Sequence, residues 1–281
     1  MNQMHTEPDM SDLQALQETL SRGGPYAIAV SGGVDSMTLA VVAGRLDPGT
    51  EMFHALSPAV PADATQRVQD YAEREGWRLS LVTAGEIDDP EYIANPANRC
   101  YFCKTNLYDT IAAATSLTIA SGTNTDDLGD YRPGLSAAAE HDVVHPYVEA
   151  GISKASLRTI AGALGLSDLE ELPAAPCLSS RVTTGIRIDP RLLPVIDTTE
   201  KALWELIPPS MQVDGVRCRI RPGSVGVEVE TVDDLSAITG AARDLVRRVF
   251  EDAGYAHLTG DVTVEPYRRG SAFLIETLNL D

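Results

Sequence analysis

Ser31-Gly32-Gly33-Val34-Asp35-Ser36 sets two hydroxyls, two glycines and a carboxylate directly behind the apolar run Ala27 to Val30. Adjacent glycines let the backbone turn sharply and aim its N–H groups into one concavity, and a following helix adds its positive end. That combination is an anion cradle. Ser31 and Ser36 add hydroxyl donors, and Asp35 places a carboxylate where Mg²⁺ would bridge to phosphate oxygens. The sequence contains no G-x-x-x-x-G-K-[ST] pattern, so the loop is not of the Walker type. A glycine turn without a ligand is the bland alternative, and the strand-loop-helix context weighs against it.

A second group of chemistry-bearing residues lies in NPANRCYFCK, residues 95 to 104, where Cys100 and Cys103 form C-x-x-C. Cys177 adds a third thiol in PAAPCLSSR, residues 173 to 181. Three cysteines can hold an iron–sulfur cluster by three irons and leave the fourth open to chemistry. A redox or sulfur-relay role, a zinc site and inert thiols stay open beside that reading. Zinc would ordinarily be completed by a fourth Cys or a His, and none is suitably spaced. Cys218 alternates with Val216 and Ile220 on an expected strand and reads as core.

SGTNTDD, residues 121 to 127, follows another expected strand, so Gly122, Thr123 and Asn124 sit where the carboxyl end of a sheet meets a nucleotide. Asp126 and Asp127 are candidates for Mg²⁺ or ribose, with a solvated turn cap as the alternative. Arg132 and Arg181 are candidate phosphate forks, against ordinary surface arginines. Trp77 and Trp204 read as packing residues.

The elements that must position these residues alternate in type. Strands are expected at Tyr26 to Val30, Met52 to Leu56, Leu79 to Val82 and Leu117 to Ser121. Helices are expected at Ser36 to Arg45, Asp63 to Glu75 with Gly76 as its stop, Lys104 to Ala114 and Ser153 to Leu164. Such alternation predicts an α/β fold with a parallel sheet covered by helices. Leu13, Leu16 and Leu20 add a leading helix. After a helix at Leu192 to Leu206 the pattern changes: strands at Val213 to Ile220 and Val225 to Glu230 flank Pro222-Gly223, then come a helix at Asp233 to Glu251 and a strand near His257 to Val264. This predicts two domains, an α/β domain over residues 1–185 and a smaller α+β domain over 186–281, although no Gly/Ser-rich linker marks the boundary.

Composition narrows the partners. The chain has 281 residues, 43% of them hydrophobic, with 22 Lys+Arg against 41 Asp+Glu for a formal charge of −19. That is enough apolar material for real cores and argues against global disorder. No apolar run approaches the roughly 18 residues of a membrane span, and MNQMHTEPDM lacks the marks of a signal peptide, so a cytoplasmic protein without a membrane partner is expected. Four cysteines are too few for a disulfide scaffold. A negative exterior disfavours long nucleic acids, whose affinity comes largely from Lys and Arg on phosphates. Only Lys104, Lys154 and Lys201 are lysines.

The Ser31 to Ser36 loop resembles that of the PP-loop superfamily, the N-type ATP pyrophosphatases, whose SGGxDS segment holds the pyrophosphate part of ATP. Together with NRCYFCK, SGTNTDD, DYRPG at 130 to 134, PCLSSR at 176 to 181 and YRRGS at 267 to 271, the sequence is similar over nearly its whole length to LarE-type ATP-dependent sulfur transferases. The resemblance implies a PP-loop ATP pyrophosphatase domain and an enzyme that adenylates a carboxylate of a pyridinium biscarboxylate mononucleotide. Sulfur is then substituted to give the thiocarboxylate of the nickel-pincer nucleotide. It implies ATP and Mg²⁺, with Asp35 catalytic and metal-binding, and Ser31, Gly32, Gly33, Ser36, Gly122, Asn124, Asp127, Arg181 and Arg268 around the nucleotide. One branch of the family sacrifices the sulfur of a cysteine at the position of Cys177. The other, with the additional C-x-x-C, uses a [4Fe–4S] cluster, and Cys100, Cys103 and Cys177 match that branch.

Arg217, Arg219 and Glu228 match the family's V-R-V-R and R-I-E segments, with Cys218 for Val, Val227 for Ile and Gly226 where Arg is often found. Arg268 matches a phosphate ligand. The resemblance also implies a homo-oligomer and a small-molecule nucleotide substrate, while the sulfur donor is not identified by it. An iron–sulfur tRNA thiolase of the same superfamily is the alternative, disfavoured by the acidic balance and the lack of an appended basic domain. A non-catalytic ATP-binding regulator would bind ATP without releasing pyrophosphate. Amidation of the NAD- or GMP-synthetase kind would need an ammonia source, and no glutaminase-like segment is present.

Overall fold

The structure, a computed structural model, describes residues 10–129, 132–174 and 176–268. The chain divides into two compact units, Met1–Glu86 with Cys100–Ala175, and Ile87–Arg99 with Pro176–Asp281.

The first unit is built on four short strands, β1 (Tyr26–Ala29), β2 (Glu51–Ala55), β3 (Arg78–Val82) and β4 (Thr118–Ala120). They pair in the order β3-β2-β1-β4, all in parallel. Parallel neighbours need crossovers, and α2 (Val34–Leu46), α3 (Ala62–Glu75) and α4 (Arg99–Ala114) supply them between strands, while α1 (Ser11–Ser21) precedes the sheet and α5 (Pro133–Glu140) and α6 (Lys154–Ala163) follow it. Alternation along the strands divides the core. Ile28 and Met52 enter one apolar cluster with Leu16, Met37, Leu39, Tyr147 and Leu157, whereas Ala27, Ala29 and Phe53 enter another with Tyr108, Ile111 and Ala137. Both faces are thus covered, as a parallel sheet requires. Fully burying each Leu, Ile or Met contributes roughly 1.5–3 kcal/mol.

Sequence signals set several element ends. Gly76 terminates α3 with φ 67°, a left-handed conformation that favours glycine. Ser153 accepts a hydrogen bond from the Ser156 N–H and starts α6. α4 starts at Arg99, earlier than expected, so Cys100 and Cys103 lie on a helix.

The second unit carries β5 (Val213–Arg221), β6 (Ser224–Thr231) and β7 (Val262–Pro266), ordered β5-β6-β7. The first pair is antiparallel around Pro222-Gly223 and the second parallel. Val216, Cys218, Ile220, Val225, Val227 and Val229 are buried, as are Val246 and Phe250 of α8 (Ser236–Asp252), while α7 (Leu192–Leu206) buries Leu193 and Ile196. Cys218 is fully buried, and burial pushes its thiol well above its ordinary pKa. A core position fits that environment.

The units do not follow a single division at 185. Residues 176–185 group with the second unit, and so does 87–99. The cause is local hydrogen bonding. Asn95, held at φ 55°, donates through Nδ2 to the carbonyls of Val182, Thr183 and Ile186 at 3.2, 2.9 and 3.0 Å. The Gly185 N–H donates back to the Asn95 carbonyl, and the Ile188 N–H to that of Ile93, both at 2.9 Å. NPAN is therefore a structural staple of the second unit. Among the described residues no helix is long and apolar enough to cross a membrane.

Candidate functional site

The Ser31 to Ser36 loop runs from the carboxyl end of β1 into α2. Gly32 adopts φ +83°, and a Cβ there would stand 2.7 Å from the Ala64 carbonyl oxygen, so both backbone conformation and space demand glycine. Gly33 caps α2 in an extended conformation. Ser36 laces the turn: its Oγ accepts from the Ser31 N–H at 2.9 Å, lies 3.0 Å from the Ser31 Oγ and donates to the Gly33 carbonyl at 3.3 Å. Arg67 of α3 donates to the Gly32 carbonyl at 2.9 Å. Ser31, Gly32, Gly33, Asp35 and Ser36 thus form one hydrogen-bonded turn at a helix N-terminus, a geometry that receives anions.

Asp35 stands in the first turn of α2, and its environment is a finding in itself. Lys154, the first residue of α6, puts Nζ 2.6 Å from both Asp35 carboxylate oxygens. Asn124, itself buried, donates to Oδ1 at 3.4 Å, and the Tyr147 hydroxyl donates to the Asp35 carbonyl at 3.0 Å. Burial, with the Asp35 charge second, pushes the Tyr147 phenol well above its ordinary pKa, so it remains a donor. Lys154 and Tyr147 are partners that motif reading missed. One signal for Lys154 was in view: it is a rare lysine behind a helix-capping serine.

SGTNTDD folds against the same turn. Gly122 approaches α2 so closely that a Cβ would lie 2.7 Å from the Ser36 nitrogen. Asp127 accepts from the Asn124 N–H at 3.1 Å and pairs with Arg132 at 2.8 Å, while Asp126 accepts from the Lys154 N–H at 3.0 Å. Asp127 is thus bound to its own turn and to Arg132, and Asp126 to the start of α6. Ser121 Oγ lies 2.9 Å from His145 Nδ1 and 3.0 Å from Thr123 Oγ1, and burial holds the His145 imidazole below its ordinary pKa. Gly122, Asn124 and Asp127 are therefore brought to the Asp35 turn, the three together.

Cys100 is exposed and Cys103 half-buried, one helical turn apart on α4 in the first unit. Cys177 belongs to the second unit, half-buried ahead of a 3₁₀ turn at Leu178–Arg181. Within each unit, among the described residues, no three His, Cys, Asp or Glu side chains stand close enough to hold a metal ion by themselves.

Arg181 does not present an open fork. It is buried, with Nε and Nη2 each 2.9 Å from a Glu200 carboxylate oxygen and Nη1 2.9 Å from the Pro176 carbonyl. Glu200 Oε1 also accepts from the Cys218 N–H at 2.8 Å. Beside it Glu228, almost fully buried, accepts from Arg219 and Arg221 at 3.0 Å each. Gly226 makes room for this network, because a Cβ there would lie 2.7 Å from the Arg221 guanidinium carbon. The glycine at 226, where the resemblance leads one to expect arginine, thus accompanies an arginine arriving from β5. Arg217 pairs with Glu230 at 3.1 Å and stacks over the Tyr267 ring at 3.8 Å. Arg268 is exposed; Asp130, Tyr131 and residues 269–271 of the remaining motifs lie outside the described residues.

No family model matches the chain. Individual relatives do. The protein slr1717 of Synechocystis is 34% identical over 265 residues, spanning 92% of this chain and 96% of the relative. MJ0830 of Methanocaldococcus jannaschii is 25% identical over 245 residues, 86% of this chain and 90% of its own. A Lactiplantibacillus plantarum protein named pyridinium-3,5-bisthiocarboxylic acid mononucleotide synthase is 26% identical over 247 residues, 84% of each chain. That synthase is a distant relative and supports the LarE-like resemblance. With a relative 34% identical along nearly its entire length, and the synthase a more distant one, the chain belongs to the family of the Synechocystis protein slr1717.

Proposed function

We propose that this protein is an ATP-dependent sulfurtransferase that converts a carboxylate of a pyridinium biscarboxylate mononucleotide into a thiocarboxylate for nickel-pincer nucleotide synthesis. The observation that carries the reading is the Asp35 turn: a glycine loop and helix N-terminus at the carboxyl end of a parallel sheet, with a carboxylate and an ammonium at its mouth. The distant synthase supplies the substrate class.

In this account the backbone N–H groups of Gly32 and Gly33 and the hydroxyls of Ser31 and Ser36 hold the β- and γ-phosphates of ATP. Asp35 would hold Mg²⁺, and Gly122 and Asn124 fix the nucleotide from the β4 side, with Asp127 ordering their turn. A substrate carboxylate oxygen attacks the α-phosphorus, the bond to the bridging oxygen breaks, and pyrophosphate leaves with that electron pair. A sulfide-level sulfur then attacks the acyl carbon, and AMP departs with the electron pair of the acyl carbon–oxygen bond, so one oxygen of the substrate leaves in AMP. Positive charge from Lys154 favours the first step by meeting charge that develops on the departing pyrophosphate, and Mg²⁺ on Asp35 would supply further positive charge there.

Three thiolates suit an iron–sulfur cluster, and those of Cys100 and Cys103 are spaced to share one face of α4. Cys100, Cys103 and Cys177 would hold a [4Fe–4S] cluster, whose fourth iron would supply a coordination position for the sulfide to be transferred. Arg181 keeps the Cys177 segment in place through Glu200 and Pro176, and Arg268 is a candidate contact for the substrate phosphate. A compact anionic substrate is consistent with the chain's −19 charge, since local donors hold small anions while the exterior repels long ones.

Pyrophosphate release tests the reading. It should require the biscarboxylate nucleotide and fall at least about 100-fold in Asp35→Asn, the range seen when a charge-stabilising partner is removed. Release that instead requires tRNA would favour the thiolase.

A further inference from the structure

Asp35 is closed by an internal cation. Lys154 Nζ sits 2.6 Å from Oδ1 and 2.6 Å from Oδ2, astride the carboxylate. A metal ion bound about 2.0–2.1 Å from either oxygen would need the space and the lone pairs that this ammonium takes. Two cations cannot share that place without strong repulsion. The backbone of Lys154 is fixed, because its N–H donates to Asp126 and Ser153 caps the helix that it begins. Its side chain is not: both partners of the pair are about one-third exposed, 32% for Lys154 and 31% for Asp35. A four-carbon stem on a fixed Cα can swing away without moving the fold. What it requires is another anion within reach, and the turn beside it is built to receive one.

We propose that Lys154 keeps Asp35 closed to free divalent cations and yields the carboxylate to metal only when a nucleoside triphosphate offers its phosphates to the ammonium. The inference rests on the reading of Asp35 as a metal ligand in an ATP site. It gives the site an order of loading: metal enters with nucleotide, and Lys154 passes from Asp35 to a phosphate. Lys154 then has two successive partners in one cycle, a carboxylate in the empty site and a phosphate in the loaded one.

The test uses the full chain and Mn²⁺ as probe, with free Mn²⁺ followed by its paramagnetic resonance signal and no nucleotide present. Lys154→Met should bind Mn²⁺ at least tenfold more tightly than the unaltered chain, and Lys154→Gln, which keeps a hydrogen-bond donor without the charge, should show the same gain. Adding Asp35→Asn to either should abolish it. In a separate arm, the affinity for α,β-methylene ATP is measured with and without Mn²⁺, and Asp35→Asn should remove the metal-dependent gain. Unchanged Mn²⁺ affinity in both Lys154 variants, with Asp35→Asn still removing that gain, overturns the closure by Lys154 and leaves the metal reading standing. Should Asp35→Asn leave the metal-dependent gain intact, Asp35 is not the metal ligand and the proposal falls with that reading.

Discussion

Gly122, at the end of β4, lies so near Ser36 in the first turn of α2 that a methyl group on it would stand 2.7 Å from the Ser36 nitrogen and 2.8 Å from the Asp35 carbonyl carbon. The obstruction is backbone, which cannot rotate aside. Gly122→Ala should therefore destabilise the first unit by about 1–3 kcal/mol and displace the turn that carries Asp35. Urea denaturation and ATP binding check it together, and a variant with unaltered stability and nucleotide affinity would mean that the approach is looser than described.

Arg181 and Glu200 form a buried pair with side-chain exposures of 8% and 11%. Removing one partner leaves an uncompensated buried charge, so Arg181→Met should cost about 3–5 kcal/mol. The double change to Met at both positions should recover much of that loss in a denaturant midpoint. If Arg181 served mainly as an open phosphate fork, the single change would weaken nucleotide binding while sparing stability.

His54 is buried, with Nδ1 2.9 Å from the Val30 carbonyl oxygen and Nε2 2.9 Å from the Thr65 hydroxyl, so it ties the end of β1 to α3. Burial holds its pKa below the ordinary value, outweighing the Val30 hydrogen bond. The unfolded chain then takes up this proton first on acidification. The contribution of His54 is fully present above its unfolded pKa, near 6.5, and is lost as pH falls below that value. Between pH 7.5 and 5.5 the melting temperature of the unaltered chain should decline more steeply than that of His54→Asn. Burial gives His145 the same sign, so a slope remains in the variant. Parallel profiles would show that His54 does not titrate with folding.

Local signals carried much of the fold into the sequence. Alternating apolar strands, the Gly76 stop and the Ser153 cap each fix a conformation within a few residues of chain, and those elements appear where they are expected. The helix Pro133–Glu140 was not foreseen, although proline is well suited to a first helical position. The strand near His257 splits into a 3₁₀ turn at Ala256–Leu258 and β7 at Val262–Pro266. At the candidate site the loop was legible because its glycines act on their own backbone. The Lys154 contact to Asp35 was not, since it joins residues 119 apart, and neither was the grouping of residues 87–99 with the second unit through Asn95. Contacts of that kind are set by tertiary folding rather than by any local pattern.

Anaerobic incubation of the iron-loaded protein with sulfide, Mg-ATP and the biscarboxylate nucleotide, followed by mass spectrometry of the small molecule and of the peptide containing Cys177, tests the central claim most directly. The account predicts a nucleotide in which sulfur has replaced a carboxylate oxygen, with pyrophosphate and AMP released and Cys177 unchanged in mass. Conversion of Cys177 to dehydroalanine would place the sulfur in that residue and contradict the cluster. A nucleotide of unchanged mass, with ATP intact, would contradict the sulfurtransferase account itself.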